Sequence, residues 1–233
     1  MDGSARYRRE PIGTHPPLDS PAYASTSKRA PRCAPVRIEQ SLSEITGPRP
    51  CVTVAPAEAD LTRWAGDAAM GERIIVAGRV LDEDGGAIAH TLIEIWQANA
   101  AGRYRHDHDR HDAPLDPHFS GVGRTIAGAN GAYRFMTIKP GAYPWGNHHN
   151  AWRPQHIHLS VFGPALATRL VTQMYFPGDP LLALDPIFNS VPDGAARARL
   201  VAAFDPELTE PGHALGYRFD IVLRGRAATP AVG

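Results

Sequence analysis

The sequence predicts an all-β protein: an antiparallel β-sandwich with long loops, a Pro-rich N-terminal arm and a few short helices. Three observations carry this expectation. Apolar residues alternate with a period of two in several short runs from Glu72 onward. Turn-forming clusters such as Asp84-Gly85-Gly86 and Asn130-Gly131 separate those runs. Proline and glycine number 22 each in 233 residues, which supplies many turns and little room for long helices.

The elements follow in order. Residues 1–70 hold nine prolines between Pro11 and Pro56, and these break any long regular element, so this stretch reads as an extended arm. An arm of that kind cannot fold alone; it must lie on its own domain or on a neighbouring subunit. Short helices are expected near Ser41 to Thr46 and near Asp60 to Trp64, where Asp60 could cap the first turn. Residues 71–233 then form the sandwich domain. Ile74, Val76 and Val80 alternate in a first strand, and Thr91 to Gln97 form a second with Leu92, Glu94 and Trp96 on one face. A long irregular stretch from Tyr104 to Arg124 follows, of a length that is often functional. After Asn130-Gly131 the outgoing strand puts Tyr133 and Phe135 on one side. Further strands are expected over Gln155 to Phe162, Arg169 to Phe176 and Tyr217 to Arg224, the last with Tyr217, Phe219, Ile221 and Leu223 on a single face. One helix interrupts them, from Gly194 to Phe204, capped by Asp193 and stopped by Pro206.

Composition excludes several classes of function. Lysine plus arginine equal aspartate plus glutamate at 24 each, so no global field attracts nucleic acid or an anionic membrane. No run approaches the roughly 20 apolar residues of a spanning helix, and the polar start, Met1 to Pro11, has no hydrophobic signal region. Cys33 and Cys51 are too few for a disulfide scaffold and lack zinc-ribbon spacing, although the two could pair with each other. A cytoplasmic location is the expectation.

The chemistry centres on His156-Ile157-His158. Side chains two apart on a strand share a face and can share one metal ion, but a solvated pair of polar residues fits the same spacing. Pro144 biases Tyr143 toward an extended conformation in the rigid loop Lys139 to Trp145, which can present a tyrosine; it can also simply cap the core with Tyr143 and Trp145. Tyr104 follows small residues that suit either close packing or a plain turn. Two tyrosines beside two histidines would point toward ferric iron, because a free phenol ionises only near pH ~10 and needs a strongly Lewis-acidic ion. The tract Arg103 to Asp112, rich in His, Asp and Arg, reads as a solvated loop with internal charge pairs, and His148 and His149 as loop residues. Arg153 could stabilise negative charge on a bound ligand or form a surface salt bridge.

The segments Trp96-Gln97-Ala98-Asn99, Gly102-Arg103-Tyr104, Ile138 to Trp145, Trp152 to His158 and Gln173-Met174-Tyr175-Phe176 resemble the intradiol ring-cleaving dioxygenases. The resemblance spans Tyr23 to Arg224. It implies a non-haem Fe(III) oxidoreductase with Tyr143 and His158 as axial ligands, Tyr104 and His156 as equatorial ligands and a hydroxide in the fifth position. Two phenolates and a hydroxide would neutralise the trivalent ion, so the site could sit in a dry pocket. It further implies cleavage of a catecholic acid, 3,4-dihydroxybenzoate, with O2 to 3-carboxy-cis,cis-muconate in aromatic catabolism by the β-ketoadipate pathway. Tyr143 would act as ligand and then base, Arg153 would stabilise the carbanion-like substrate and Gln173 would help hold it. Trp145 and Ile187 would wall the ring, with Tyr23 near its carboxylate. A homologous α subunit lacking the iron ligands is the implied partner, in a hetero-oligomer. Three other readings remain open: a catechol or hydroxyquinol 1,2-dioxygenase with the same four ligands, a non-catalytic sandwich, and a cupin-like Fe(II) or Zn site using His156, His158 and Glu94.

Overall fold

The structure, a computed structural model, describes residues 10–36, 53–146, 151–163 and 169–232. It is mostly sheet with a few short helices, as the sequence predicts. The strands are β1 (Arg73–Leu81), β2 (Leu92–Trp96), β3 (Val122–Ile126), β4 (Ala132–Ile138), β5 (Tyr143–Trp145), β6 (Ala151–Arg153), β7 (His156–Phe162), β8 (Arg169–Tyr175), β9 (Ala203–Phe204), β10 (Leu215–Arg218) and β11 (Ile221–Val222). The described helices are α1 (Thr26–Arg29), α2 (Pro186–Asn189) and α3 (Gly194–Ala198), with 3-10 turns at Pro56–Ala59 and Pro180–Leu184.

Two sheets enclose the core. In the first, β1 pairs antiparallel with β4 from Arg73↔Ile138 to Arg79↔Ala132. Its other edge pairs with β10 (Ile74↔Leu215) and then β11 (Val80↔Ile221), both parallel. The second sheet, in the order β3-β2-β7-β8, is antiparallel throughout. Ile74, Val76, Val80, Tyr133 and Phe135 meet Ile93, Ile95, Ile157, Leu159 and Met174 in one buried cluster, and removal of this apolar surface from water is the main source of stability.

The alternation that buries Ile157 and Leu159 turns the even-numbered residues of β7 to the opposite face. There Trp96 stands opposite His158, His158 opposite Gln173, and His156 opposite Tyr175. That outer face is where the chemistry-bearing side chains collect.

The antiparallel-rich sandwich is as expected, with the addition that β1 takes two parallel partners from the C-terminal third. The turn at Asp84-Gly85-Gly86 forms as expected and folds the chain back on β1, where Leu81 bridges Ala87 antiparallel; the chain then crosses to β2 in the other sheet. Several other expectations are corrected. The stretch Asp60 to Trp64 is not a helix: Asp60 instead bonds the Thr62 amide and hydroxyl at 2.9 and 2.6 Å, and the 3-10 turn lies just before it. The helix capped by Asp193 stops at Ala198, because Tyr175 at the end of β8 draws the following residues into a bridge, through Tyr175 N to Leu200 O and Ala202 N to Tyr175 O. The strand expected over Tyr217 to Arg224 is split at Phe219, whose carbonyl accepts the buried Tyr133 hydroxyl while Asp220 takes the Arg79 amide. The expected helix at Ser41 to Thr46 lies outside the described residues.

Residues 10–15 lie against the chain's own C-terminal part. Glu10 accepts from the Gly225 amide at 3.1 Å, the Gly13 carbonyl from Asp193 at 3.1 Å, and His15 Nδ1 from Ala231 at 3.0 Å. The last described residues in turn lie on β8: the Pro230 carbonyl accepts from Thr172 Oγ1 at 2.7 Å and the Val232 carbonyl from Gln173 Nε2 at 2.6 Å. Among the described residues no helix is long and apolar enough to cross a membrane.

Candidate metal centre

Two loops deliver the tyrosines, and one side chain ties the loops together. Asn99, three residues past the end of β2, accepts through Oδ1 from the Ala101 and Arg103 amides and donates through Nδ2 to the Pro114 carbonyl. Its backbone carbonyl accepts from both Gly102 and Gly141, so the loop before Tyr104 is stitched to the loop before Tyr143. The two backbones touch. A Cβ on Gly102 would stand 2.1 Å from the Ala142 carbonyl oxygen, and one on Gly141 would stand 2.5 Å from the Ala100 carbonyl oxygen. Tyr104 and Tyr143 consequently meet edge to face with ring centroids 5.3 Å apart.

The β5/β6 hairpin sets Tyr143 directly opposite Arg153. Two residues beyond the hairpin, β7 begins with His156. Its Nδ1 lies 2.6 Å from the Pro154 carbonyl and donates to it, which leaves the Nε2 lone pair facing the Tyr143 hydroxyl at 3.2 Å. His158 stacks on Trp96 with centroids 4.9 Å apart, and its ring lies 4.9 Å from that of His156 and 6.3 Å from that of Tyr104. The structure therefore brings Tyr104, Tyr143, His156 and His158 together. The Tyr104 hydroxyl and His158 Nδ1 are buried there without a hydrogen-bond partner. Buried polar atoms are rarely left so, and a bound ion is one of the arrangements that satisfies them. These four side chains are the ones that could hold a metal ion.

Burial sets their protonation. It pushes both histidines down, aided by the Arg153 charge: His156 falls well below its ordinary value and His158 to about 3. Burial pushes both phenols up, Tyr104 well above its ordinary value with the help of the neighbouring Tyr143, while the Arg153 charge acts against the rise at both. Without a cation the site thus holds neutral imidazoles with open lone pairs and protonated phenols. Below the ordinary histidine value of 6.5 the unfolded chain binds protons that the folded chain refuses, so these histidines stabilise the fold above 6.5 and lose that contribution as pH falls. Chelator-stripped protein should lose up to about 1.4 kcal/mol per pH unit for each histidine below that point. Denaturant melts at pH 7, 6 and 5 measure this, and a flat profile would contradict it.

Arg153 is no surface residue. It is 2% exposed and lies in a closed network on the outer face of the sheet. Its Nε and Nη2 donate to the two oxygens of Asp185 at 2.9 and 3.0 Å; Nη2 also reaches Gln173 Oε1 at 2.6 Å and the Tyr175 hydroxyl at 3.0 Å. Burial acts to lower its pKa, but Tyr175, Asp185 and Tyr143 outweigh that and raise it, so the guanidinium stays charged. Sequence reasoning missed Asp185 and Tyr175. Both carried a signal: Tyr175 shares the face of Gln173 two residues away, and Asp185-Pro186 has the form of a helix N-cap followed by a first-turn proline.

Tyr23, Trp145 and Ile187 also gather near this network. Tyr23 packs on Trp145 with centroids 5.0 Å apart, and Trp145 lies 5.4 Å from the Arg153 guanidinium. Ile187 is buried in the first turn of α2, and it and Tyr23 line a cavity of about 360 Å³ with His15, Arg29, Ser190 and Val232. The tract Arg103 to Asp112 is more ordered in its bonding than a set of charge pairs. Asp109 accepts from the Tyr104 and His111 amides at 2.7 and 2.8 Å, Arg103 donates to the Ala113 carbonyl, and Arg105 donates to the Asp116 and Phe119 carbonyls. Glu94 stands opposite Ser160 and Arg124 rather than beside the histidines, and no group of three His, Cys, Asp or Glu is assembled among the described residues. Cys33 is exposed, whereas Cys51, His148 and His149 lie outside the described residues.

A family model described as Dioxygenase matches residues 45–225, and one described as protocatechuate 3,4-dioxygenase beta subunit N terminal matches residues 7–41. The chain belongs to the intradiol ring-cleaving dioxygenase family. It is 57% identical over 220 residues to the protocatechuate 3,4-dioxygenase beta chain of Burkholderia cepacia, covering 93% of each chain. The alpha chain from the same organism is 32% identical over 158 residues, 66% of this chain and 74% of that one. Among solved structures, the dioxygenase domain of a dioxygenase carbohydrate-binding fusion from Streptomyces sp. SirexAA-E superposes with a TM-score of 0.51 at 26% identity, over 72% of this chain and 87% of that one. The 3-chlorocatechol 1,2-dioxygenase of Rhodococcus opacus 1CP gives 0.56 at 22% identity, over 75% and 67%, and supports the fold.

Proposed function

We propose that this chain cleaves the ring of 3,4-dihydroxybenzoate between its hydroxyl-bearing carbons with O2, giving 3-carboxy-cis,cis-muconate in the β-ketoadipate pathway. Tyr104, Tyr143, His156 and His158 would hold Fe(III). The observation that carries this reading is the convergence of two phenols and two neutral imidazoles on one buried patch, with the Tyr104 hydroxyl and His158 Nδ1 left without partners. The donor set fits a hard trivalent ion: phenols whose pKa burial has raised ionise only against a strong Lewis acid, whereas zinc sites use Cys, His and carboxylate. Bound there, iron would supply the Lewis acidity that ionises a catechol and draws electron density from its ring.

The remaining steps belong to protein side chains. Tyr143 accepts a hydroxyl proton from the substrate at its phenol oxygen, and burial favours the neutral phenol that results. Arg153, fixed and charged, faces the site and stabilises negative charge on the dianionic ring. Gln173 helps hold the substrate, with its amide anchored on Val232. Trp145 and Ile187 wall the ring and exclude water, and Tyr23 stands near the substrate carboxylate. Residues 1–70 serve as an arm and 71–233 as the catalytic sandwich, and the arm contacts a homologous α subunit in a cytoplasmic hetero-oligomer. The similarity to both a beta and an alpha chain supports that partner.

The purified protein should be wine-red from phenolate-to-iron charge transfer, and the band should shift when 3,4-dihydroxybenzoate is added without oxygen. A colourless protein with full iron content would refute the tyrosinate site. Faster turnover of catechol than of 3,4-dihydroxybenzoate would refute the substrate.

A further inference from the structure

The Arg153 network contains one group that serves two parts of the site at once. Asp185 is fully buried, and its carboxylate accepts from five donors. Oδ1 takes Arg153 Nε at 2.9 Å and the Ile187 amide at 3.5 Å; Oδ2 takes Arg153 Nη2 at 3.0 Å, the Tyr175 hydroxyl at 3.0 Å and the Phe188 amide at 3.3 Å. The first and third of these form the planar two-point fork that arginine makes with a carboxylate. The amide contacts are the N-cap of α2, the helix that carries Ile187. One carboxylate therefore fixes both the plane of the guanidinium and the position of the apolar wall. The fork uses the Nε and Nη2 edge, so Nη1 takes no part in it.

We propose that Asp185 is the positioning residue of this active site, holding Arg153 and the Ile187 wall in one fixed relation so that the guanidinium charge is in place before the substrate arrives. Preorganisation of this kind acts on the chemical step, because the reorientation that water or a loose side chain would undergo has already been made. Asp185 touches no substrate; it acts through Arg153. This inference rests on the reading of the site given above, in which Arg153 faces the substrate.

Asp193 provides an internal control. It caps α3 in the same way, accepting from the Ala195 amide at 2.8 Å and the Ala196 amide at 3.3 Å, but it does not reach the Arg153 network. The experiment compares the iron-loaded enzyme with its Asp185→Asn, Asp193→Asn, Arg153→Lys and Arg153→Lys/Asp185→Asn forms, reading kcat, KM, iron content and the visible band. Asp185→Asn should lower kcat by about 10- to 100-fold, the scale of a slight misplacement of a reacting group, with KM within about threefold and the band retained. Asp193→Asn should stay within about twofold in kcat. In the Arg153→Lys background Asp185→Asn should add less than about threefold, because both changes remove the same positioned charge. Additive losses, an unchanged kcat in Asp185→Asn, or an equal loss in Asp193→Asn would overturn the proposal. If Asp185→Asn does not fold, Asp185→Glu decides: it keeps the charge but moves it by one methylene, and its kcat loss should again vanish in the Arg153→Lys background. A wild-type enzyme that cleaves another catechol, or none, would count against the proposed function. The variants would then be read on the catechol that is cleaved, or on the anaerobic shift of the visible band, where Asp185→Asn and Arg153→Lys should again be non-additive.

Discussion

Gly102→Ala is expected to slow ring cleavage by about 100-fold while leaving the sandwich folded. Gly102 has φ +77, and its added Cβ would stand 2.1 Å from the Ala142 carbonyl oxygen and 2.9 Å from the carbonyl carbon. Both obstacles are backbone, so no side chain can swing aside. The only relief is to move the loop of Tyr104 away from the loop of Tyr143, and a shift of about 1 Å at reacting groups costs on the order of 10²-fold in rate. Iron content and the visible band should fall with activity. Gly178→Ala is the matching control: its φ is +75 but nothing lies within 4 Å, so it should cost only the left-handed strain of about 1 kcal/mol and leave turnover intact. Wild-type activity in Gly102→Ala would show that the close approach of the two loops does not matter.

The second large effect is on stability. Arg153→Leu should cost about 3–5 kcal/mol, because removal of one partner leaves the buried Asp185 charge uncompensated. In Arg153→Leu/Asp185→Asn the uncompensated charge is gone, while the asparagine oxygen still caps α2. More than half of the lost stability should return in denaturant melts of this double variant, but turnover should not. A double variant as unstable as the single one would mean that lost packing, not the stranded charge, carries the cost.

The sheets were legible in the sequence to different depths. A period of two reports which face a residue occupies, and that was enough to put His156 with His158, and Tyr217 with Phe219 and Ile221. It does not report the neighbour. The parallel pairing of β1 with β10 joins Ile74 to Leu215 across most of the domain, and nothing local to either segment encodes it. The helix expected over Gly194 to Phe204 had a correct cap but the wrong end, because the bridge to Tyr175 is a tertiary contact that overrides local propensity.

Within the candidate site, the spacing of the histidines and the rigidity around Tyr143 could be read from residue types alone. The Arg153 network could not, because its members come from positions 153, 173, 175 and 185, on two strands and the start of a helix. Alternation along β8 could have added Tyr175. The burial of Arg153, which changes a surface salt bridge into a closed network, becomes visible only when α2 is seen lying over the sheet.

The anchoring of Gln173 on the Val232 carbonyl places a limit on the order of events during synthesis. The partner of this amide is made 59 residues later, and the segment that carries it is also what His15 meets across a separation of 216 residues. An emerging chain can pair β7 with β8 early, but the support under Gln173 and the part of the seat that meets His15 do not exist until translation has reached Ala231 and Val232. Contacts that close over such distances are slow to form. The newborn protein therefore has an interval in which β7 and β8 are paired while Gln173 still lacks the carbonyl beneath it and His15 the amide it meets.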